Sequence, residues 1–335
     1  MVGVLESLTL LFALAIFPGL VFIIALAIFN DWFERKVEAR MQSRMGPTYV
    51  GPAGILQPLA DLLKLFSAKE EIRQKYSLLD VAKVFAFLGI GAAVASLLFL
   101  PLSPYRLSAP YDFLVYVYLC CVWVPLALFI ISISVPNPFT ALGTSRLLSI
   151  LTVCEPTYFA SLLVPIILTT RLFRAQVPYS ILSTSKLVIN LWTYPYTIPL
   201  MILATIAAIV CLQAKAMYPP YNIPEAEQEI VAGPLTELSG PMLGLTKLLH
   251  DIDIAVSLLF ITYVYLGGPY PFPHLSLPGI AVLIAKYVGL LFVLTTIKAS
   301  FGRFRIDQGI KSILKYASLP ATVSLVVANL IIMFT

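Results

Sequence analysis

Four glutamates lie within thirteen residues of a chain that is otherwise mostly apolar. They are Glu225, Glu227, Glu229 and Glu237, in the segment YNIPEAEQEIVAGPLTELSG at residues 221–240. A solvated glutamate has a pKa of about 4.3, so at neutral pH it stays ionised and only binds cations. Burial raises the pKa of a carboxyl group towards neutrality, where it takes up and releases protons. The segment therefore indicates cation binding or proton exchange.

A fifth glutamate lies inside an apolar stretch. Glu155 is nine residues into RLLSILTVCEPTYFASLLVPIILTT, residues 146–170, which corresponds to about 13 Å along a helix. A carboxyl group at that depth costs about 2.5 kcal/mol or more, so such acids normally face a wet path or a partner. Pro156 removes a backbone N–H beside it and frees a carbonyl. We expect Glu155 to mark an ion route; simple pairing with an internal lysine or arginine is the alternative.

Further ionisable side chains lie at the ends of apolar stretches or inside them. Together with the glutamates they are candidates for a proton or ion relay. They are Arg146, Lys247, His250, Asp251, Asp253, Lys83 and Lys286.

The acidic segment carries start and stop signals of a helix. Asn222 is followed three residues later by Glu225, with Pro224 in the first turn, which is typical of a capped helix N-terminus. Gly233 and the proline after it predict an end near Ala232. In such a helix the first and third glutamates share a face, and the second points about 200° away.

The elements that must position these groups are membrane helices. Of the 335 residues, 59% are hydrophobic and 12% charged, and the mean hydropathy is +0.92. Eight stretches approach or exceed the roughly 20 apolar residues that cross a bilayer. They are predicted at 4–29, 82–100, 111–134, 146–170, 188–213, 253–268, 279–299 and 317–334. The expected fold class is an all-α polytopic membrane protein that forms one integral domain.

Basic residues are distributed unevenly between the connections. Sixteen Lys and Arg lie in or beside the loops after the odd-numbered spans, and four in the loops after the even-numbered spans. The positive-inside rule then predicts cytoplasmic odd loops and both termini outside. The net charge of +5 is thus a topology signal, and a nucleic-acid partner is not expected.

Two cytoplasmic connections are predicted to be large. The first, residues 31–81, is expected to dock a partner, and the second, residues 214–252, contains the acidic segment. Leucines at helical spacing after Pro58 predict a short amphipathic helix in the first loop, on the membrane surface or against a partner.

Redox centres and nucleotide sites are not expected in this chain. Its four cysteines lie in apolar spans without paired metal-binding spacing, it has two histidines, and it contains no phosphate-binding glycine loop. A metal site is therefore not predicted, and redox chemistry would belong to other subunits.

Several sequence blocks occur in one order along essentially the whole chain. They are Glu34-Arg35-Lys36, Arg44-x-Gly46-Pro47, VGPAGILQPLADLLKLF at 50–66, Arg146 with Glu155 nine positions later, and IPEAEQEIVAGPLTELSG. In order, spacing and number of spans, the chain resembles the membrane subunit 1 (H-type) family of the complex I superfamily.

Within that superfamily the chain resembles one branch more than another. Quinone-reducing members usually carry Phe-Asp before the acidic run and Tyr after its last glutamate, where this chain has Tyr221-Asn222 and Leu238. The acidic run instead resembles the anchor (M-type) subunit of group 4 energy-converting [NiFe] hydrogenases and of the related archaeal membrane-bound sulfane sulfur reductase. A bound quinone is accordingly not favoured.

The resemblance implies roles for individual residues. It implies an ion or proton pathway through Glu155, Glu225, Glu227, Glu229, Glu237, Arg146, Lys247, Asp251 and Asp253. It implies docking of peripheral subunits at Glu34, Arg35, Lys36, Arg44, Asp61 and Lys64. The implied partners are hydrogenase-like large and small subunits, iron–sulfur proteins that carry [NiFe] or iron–sulfur centres, antiporter-like membrane subunits, and the lipid bilayer.

The expected function is that of a non-catalytic subunit in a prokaryotic cell membrane. It would link electron transfer in a peripheral redox module to proton or sodium translocation. A quinone-binding subunit of a respiratory dehydrogenase is one alternative. A stand-alone transporter is another, although such folds usually show internal repeats and none is seen here.

Overall fold

The computed structural model describes residues 2–67, 73–105, 109–175 and 177–334, and all regular structure in these ranges is helical. Part of the first large loop, residues 68–72, lies outside them. The helices are α1 (Val2–Ala15), α2 (Leu20–Met41), α3 (Gln57–Phe66), α4 (Leu79–Leu97), α5 (Asp112–Val117), α6 (Val124–Ile133), α7 (Pro138–Leu172), α8 (Ile181–Leu191), α9 (Ile198–Lys215), α10 (Glu227–Ile230), α11 (Gly240–Leu266), α12 (Leu277–Ser300), α13 (Ile306–Ile313) and α14 (Leu319–Phe334). Short π-helical stretches at Tyr118–Trp123 and Leu314–Ser318 join α5 to α6 and α13 to α14.

Eight of the helical units are long and apolar enough to cross a membrane, which confirms the predicted fold class. They are Glu6–Met41, Leu79–Leu97, Asp112–Ile133, Pro138–Leu172, Ile198–Lys215, Gly240–Leu266, Leu277–Ser300 and Ile306–Phe334. The amphipathic helix expected after Pro58 is also present, as α3.

Several spans are longer than predicted at the end where the charged residues lie. The first continues to Met41, the fourth begins at Pro138, the sixth at Gly240 and the last at Ile306. Hydropathy locates only the apolar part of a helix, while backbone hydrogen bonds continue into the polar end. Much of the sequence predicted as loop, including residues 240–252 of the second large connection, is therefore helical.

The predicted span 188–213 is wrong, because it combines parts of two helices. The chain ends α8 at Leu191 and begins α9 at Ile198. Pro195 lies in the break and Pro199 in the first turn of α9. A proline lacks the N–H that an uninterrupted helix needs, so the apolar sequence could not continue as one helix.

Helix α11 is the central element of the bundle. In its most apolar window 89% of the residues are buried, against 22% for the last span. It packs against α2, α4, α8 and α12. A helix that is apolar on all sides is buried on all sides, so groups carried by α11 are placed in the middle of the protein.

The acidic segment is pressed against α7. Asn137 caps this helix by accepting a hydrogen bond from the backbone N–H of Phe139 at 2.8 Å. One turn further, a methyl group on Gly143 would lie 2.7 Å from the Cα of Gly233. Only glycine allows this approach, which fixes the acidic segment beside the start of α7.

Candidate functional site

A cavity of about 450 Å³ lies between α2, α3, α6, α11 and the acidic segment. Its apolar wall includes Leu62, Leu128 and Leu235. The remaining wall is rich in ionisable side chains of both signs. These are Asp31, Arg35, Asp61, Lys64, Glu225, Lys247, His250 and Asp251. A space lined by so many ionisable groups favours water and ions over an apolar ligand.

Glu225 contributes the carboxyl group of the acidic segment to this cavity. Burial raises the pKa of Glu225, and the nearby charges of His250 and Lys247 partly oppose that increase. This carboxyl group therefore exchanges its proton closer to neutrality than an ordinary glutamate does.

The helix predicted to begin at Asn222 is wrong in its start, its length and its faces. The structure has one short helix, Glu227–Ile230, preceded by Ala226 and without a side-chain cap. Residues before it are held in place by tertiary contacts, such as the hydrogen bond from Phe304 N to Pro220 O at 2.9 Å. Consequently Glu225 faces the cavity while Glu229 points elsewhere.

Arg35 connects two sides of the cavity. Its guanidinium lies 2.7 Å from both Asp31 on α2 and Asp61 on α3. Burial acts to raise the pKa of Asp61, but hydrogen bonds from Arg35 and Gln57 outweigh it, and the pKa is lowered. The ion pair between Arg35 and Asp61 therefore stays charged at neutral pH and joins α2 to α3.

A buried ionic cluster lies deeper in the bundle. The ammonium group of Lys215, on α9, is 3.2 Å from Asp253 on α11 and 3.6 Å from Glu155 on α7. It also donates to the backbone carbonyl of Cys120 at 3.2 Å. The side chains of Lys215, Asp253 and Glu155 are 2%, 3% and 14% exposed, so the charges are shielded from bulk solvent.

Lys215 is the residue that sequence reasoning missed. The predicted end of the fifth span at residue 213 places it in the following loop, but it is the last residue of α9 and lies in the protein interior. The signal is its position only three residues after the apolar run that ends at Leu212. Glu155 therefore has an internal basic partner, as the alternative interpretation expects, and its place on an ion route stays a prediction.

Helix α11 carries ionisable groups from the cavity to the cluster. Lys247, His250 and Asp251 line the cavity, and Asp253 contacts Lys215. His250 and Asp253 are three residues apart, so they are neighbours on the helix surface. Within the described ranges, His250 Nε2 and both carboxylate oxygens of Glu155 have no hydrogen-bond partner. Buried polar atoms of this kind usually bind water.

Two predicted pathway residues hold loops together instead of lining the cavity. Glu237 accepts hydrogen bonds from Gln74, at 2.6 Å, and from Asn137. Glu229 lies 2.6 Å from Arg146 and 3.1 Å from Arg303. Hydrogen bonding by Arg146 lowers the pKa of Glu229, which remains ionised.

Glu227 is exposed and does not join these contacts. Lys286 lies apart from the cluster as well. Its ammonium donates to the carbonyls of Leu266, Gly268 and Tyr270 at 2.8–3.0 Å, near the C-terminus of α11.

The docking role expected for the Glu34 side chain needs correction, because that side chain is buried. It accepts a hydrogen bond from Tyr218 and lies 3.2 Å from Lys298 on α12. The Lys298 ammonium also lies 4.2 Å from the centre of the Tyr218 ring. Lys36 is used internally too, because it donates to the carbonyls of Pro47 and Ala53.

The remaining predicted docking residues, Arg35, Arg44, Asp61 and Lys64, are partly or fully exposed. Close to Arg44 in the chain, Met45 and Tyr49 are 83% and 98% exposed. Across the described residues, no group of three or more His, Cys, Asp and Glu side chains is arranged to hold a metal ion.

The fold and site together define a polytopic membrane protein that carries ionisable groups from a charged cavity into its interior. A family model for NADH dehydrogenase matches residues 14–329. The chain therefore belongs to the complex I subunit 1 family, the H-type membrane subunits.

The fold is also similar to that of a chain in the membrane-bound sulfane sulfur reductase, an archaeal respiratory membrane complex. The two chains share 26% sequence identity, and the TM-score is 0.78. The match covers 96% of this chain and 99% of the other.

Proposed function

We propose that this chain anchors a peripheral redox module in the membrane and couples its electron transfer to proton or sodium movement. The parent assembly would be a respiratory complex of the sulfane-reductase or [NiFe]-hydrogenase type. One observation carries the proposal: α11 places His250 in the charged cavity and Asp253 in the buried cluster, one helical turn apart. Charge at the surface can thus act on charge in the interior.

The coupling is electrostatic. A change of charge or conformation in a docked module alters the field at Glu225, whose carboxyl pKa is raised by burial. That change acts on His250 and Asp251 in the same cavity and then, across one turn of α11, on Asp253. The ammonium group of Lys215 lies between the carboxyl groups of Asp253 and Glu155. Its positive charge then stabilises the ionised form of one of them more strongly than that of the other. The group that loses its counter-charge takes up a proton or cation.

Docking is proposed at the first large loop. Large exposed apolar side chains beside charged ones indicate a protein interface, and Met45 and Tyr49 are almost fully exposed near Arg44. The partners proposed there are hydrogenase-like subunits with iron–sulfur centres. The lipid-facing surfaces of α12 and α14 are available to antiporter-like membrane subunits.

A quinone-binding subunit is the second candidate, and the cavity volume favours it. A space of about 450 Å³ is within the range of small-molecule sites. Against it, eight ionisable side chains line this cavity, whereas such sites usually carry only a small number of polar groups.

Purification of the chain with its native partners tests the proposal. We expect iron–sulfur subunits to co-purify, and the assembly to reduce sulfane sulfur or evolve hydrogen without added quinone. Nickel in the preparation would assign the hydrogenase type, and iron and acid-labile sulfide without nickel the sulfur type. Activity that depends on quinone would contradict the proposal in favour of the second candidate. Isolation of the chain alone as an active transporter would contradict both.

A further inference from the structure

The helix formed by Asp112–Ile133 changes its winding halfway along. Between α5 and α6 it has a π-helical stretch, Tyr118–Trp123, and Pro125 follows two residues later. A π-helical stretch inside an α-helix is rare and is frequently found at functional sites.

Pro125 leaves one backbone carbonyl without an N–H partner in either winding. In an α-helix the carbonyl of residue i accepts from residue i+4, so Pro125 would leave the carbonyl of Cys121 unpaired. In a π-helix the donor is residue i+5, and the unpaired carbonyl is that of Cys120. The winding therefore decides which of two adjacent carbonyls is free, and these point about 100° apart around the helix.

The carbonyl that the π-helical winding frees is the one that contacts the ionic cluster. Lys215 donates to the oxygen of Cys120 at 3.2 Å, whereas its contacts with Asp253 and Glu155 are ion pairs at 3.2 and 3.6 Å. Among the described residues the Cys120 carbonyl is thus the acceptor that gives the ammonium group a directional hydrogen bond.

We propose that Pro125 and the π-helical stretch form a backbone ligand that positions Lys215 between its two carboxylates. Rewinding of this stretch into an α-helix would withdraw the Cys120 carbonyl and release the ammonium from its present position. Pro125 is thus a positioning residue for the cluster. Its effect on ion coupling rests on the proposed function, whereas its effect on the position of Lys215 does not.

A second proline in the protein provides the matched comparison. Pro165 lies inside α7, where it leaves the carbonyl of Ser161 without its α-helical donor. The hydroxyl of Tyr265 donates to that carbonyl at 2.7 Å. Here too a proline leaves a backbone carbonyl without its helical N–H donor, but a neutral side chain, that of Tyr265, donates to this carbonyl, and Lys215 is not involved.

The first test is a structure of the assembled complex with Pro125→Ala. We expect residues 118–123 to wind as an α-helix and Lys215 Nζ to move beyond hydrogen-bond distance of the Cys120 oxygen. A retained π-helical stretch that still contacts Lys215 would overturn the inference. If this variant does not assemble, the structure of Lys215→Met replaces it. Pro125 is retained in that variant, so the π-helical winding should persist without the ammonium, and a rewound stretch would show that the lysine sets the winding instead of the proline.

The second test makes two measurements on the assembled complex. One is the number of ions moved per electron, and the other is the infrared band of the Glu155 carboxyl group, which is assigned by its absence in Glu155→Gln. Pro125→Ala should lower the ratio several-fold and shift that band, whereas Pro165→Ala should change neither. In a Lys215→Met background Pro125→Ala should have no further effect on the ratio, because it acts through the lysine. An equal loss in both backgrounds would overturn the inference. If Lys215→Met alone leaves the ratio unchanged, the proposed function fails while the structural test still stands.

Discussion

The ammonium group of Lys215 lies 3.2 Å from the carboxylate of Asp253, in a part of the bundle where both side chains are almost fully buried. Glu155 is the second carboxyl group at the same ammonium, at 3.6 Å. Among the described residues the cluster therefore has two acids for one base. The second acid requires a proton or a cation, which is the property expected of a translocation site.

Lys215→Met should destabilise the protein by about 3–5 kcal/mol, because it leaves a buried carboxylate without its counter-charge. Thermal denaturation of the detergent-purified assembly measures the loss. Adding Glu155→Gln and Asp253→Asn should restore most of the stability, because neutral buried groups need no counter-charge. Lys186→Met, at an exposed position of α8, is the control and should leave the melting temperature unchanged. A stable Lys215→Met protein would show that the cluster is not ionised.

Apart from the span at 188–213, the apolar spans and the place of Glu155 inside one of them could be predicted from the sequence, because both depend on local composition. The partner of Glu155 could not, since the contact between α7 and α9 joins residues that are distant in the chain. Asn222 shows the same limit in a local motif. Its capping signal was overridden by tertiary contacts that hold the preceding residues, including the hydrogen bond of Tyr221 with Ser312 at 2.9 Å.

Lys298→Met should loosen the chain where the acidic segment begins. Lys298 joins Glu34 on α2 to the ring of Tyr218, so its loss removes an ion pair and a cation–π contact together. Hydrogen exchange of residues 218–223 should become faster. Lys311→Met, on the neighbouring helix α13, is exposed and should leave that exchange unchanged. Equal protection in both variants would mean that Lys298 does not hold this region.

The contact of Glu229 with Arg146 and Arg303 should resist acid. Hydrogen bonding by Arg146 lowers the pKa of Glu229, so the contact is complete above the ordinary glutamate pKa of about 4.3. It is lost only as the pH falls through the lower pKa of the folded protein. A fluorescent label on Gln228→Cys should report release of the segment below that ordinary value.

The same label in a Glu229→Gln background is the control. There the segment should be released already at neutral pH, with no transition on acidification. A labelled wild-type protein that releases the segment at or above the ordinary glutamate pKa would contradict the assigned contact.

Tyr49→Ala should weaken attachment of the peripheral subunits and leave membrane insertion intact. Tyr49 is 98% exposed, so its removal costs the isolated chain almost no packing. The iron content of purified membranes, normalised to this chain, should fall relative to wild type. Tyr196→Ala, at a position that is 48% exposed between α8 and α9 and outside the first large loop, is the control. An unchanged iron content in Tyr49→Ala would place the docking surface elsewhere.

The number of ions moved per electron in vesicles that contain the assembled complex with Glu155→Gln tests the central claim most directly. The amide is close in size to the carboxyl group but holds no exchangeable charge, so the complex should assemble and electron transfer should continue. Ion movement per electron should fall to near zero, because Glu155 no longer carries a proton or cation. An unchanged ratio would remove Glu155 from the route and contradict the account.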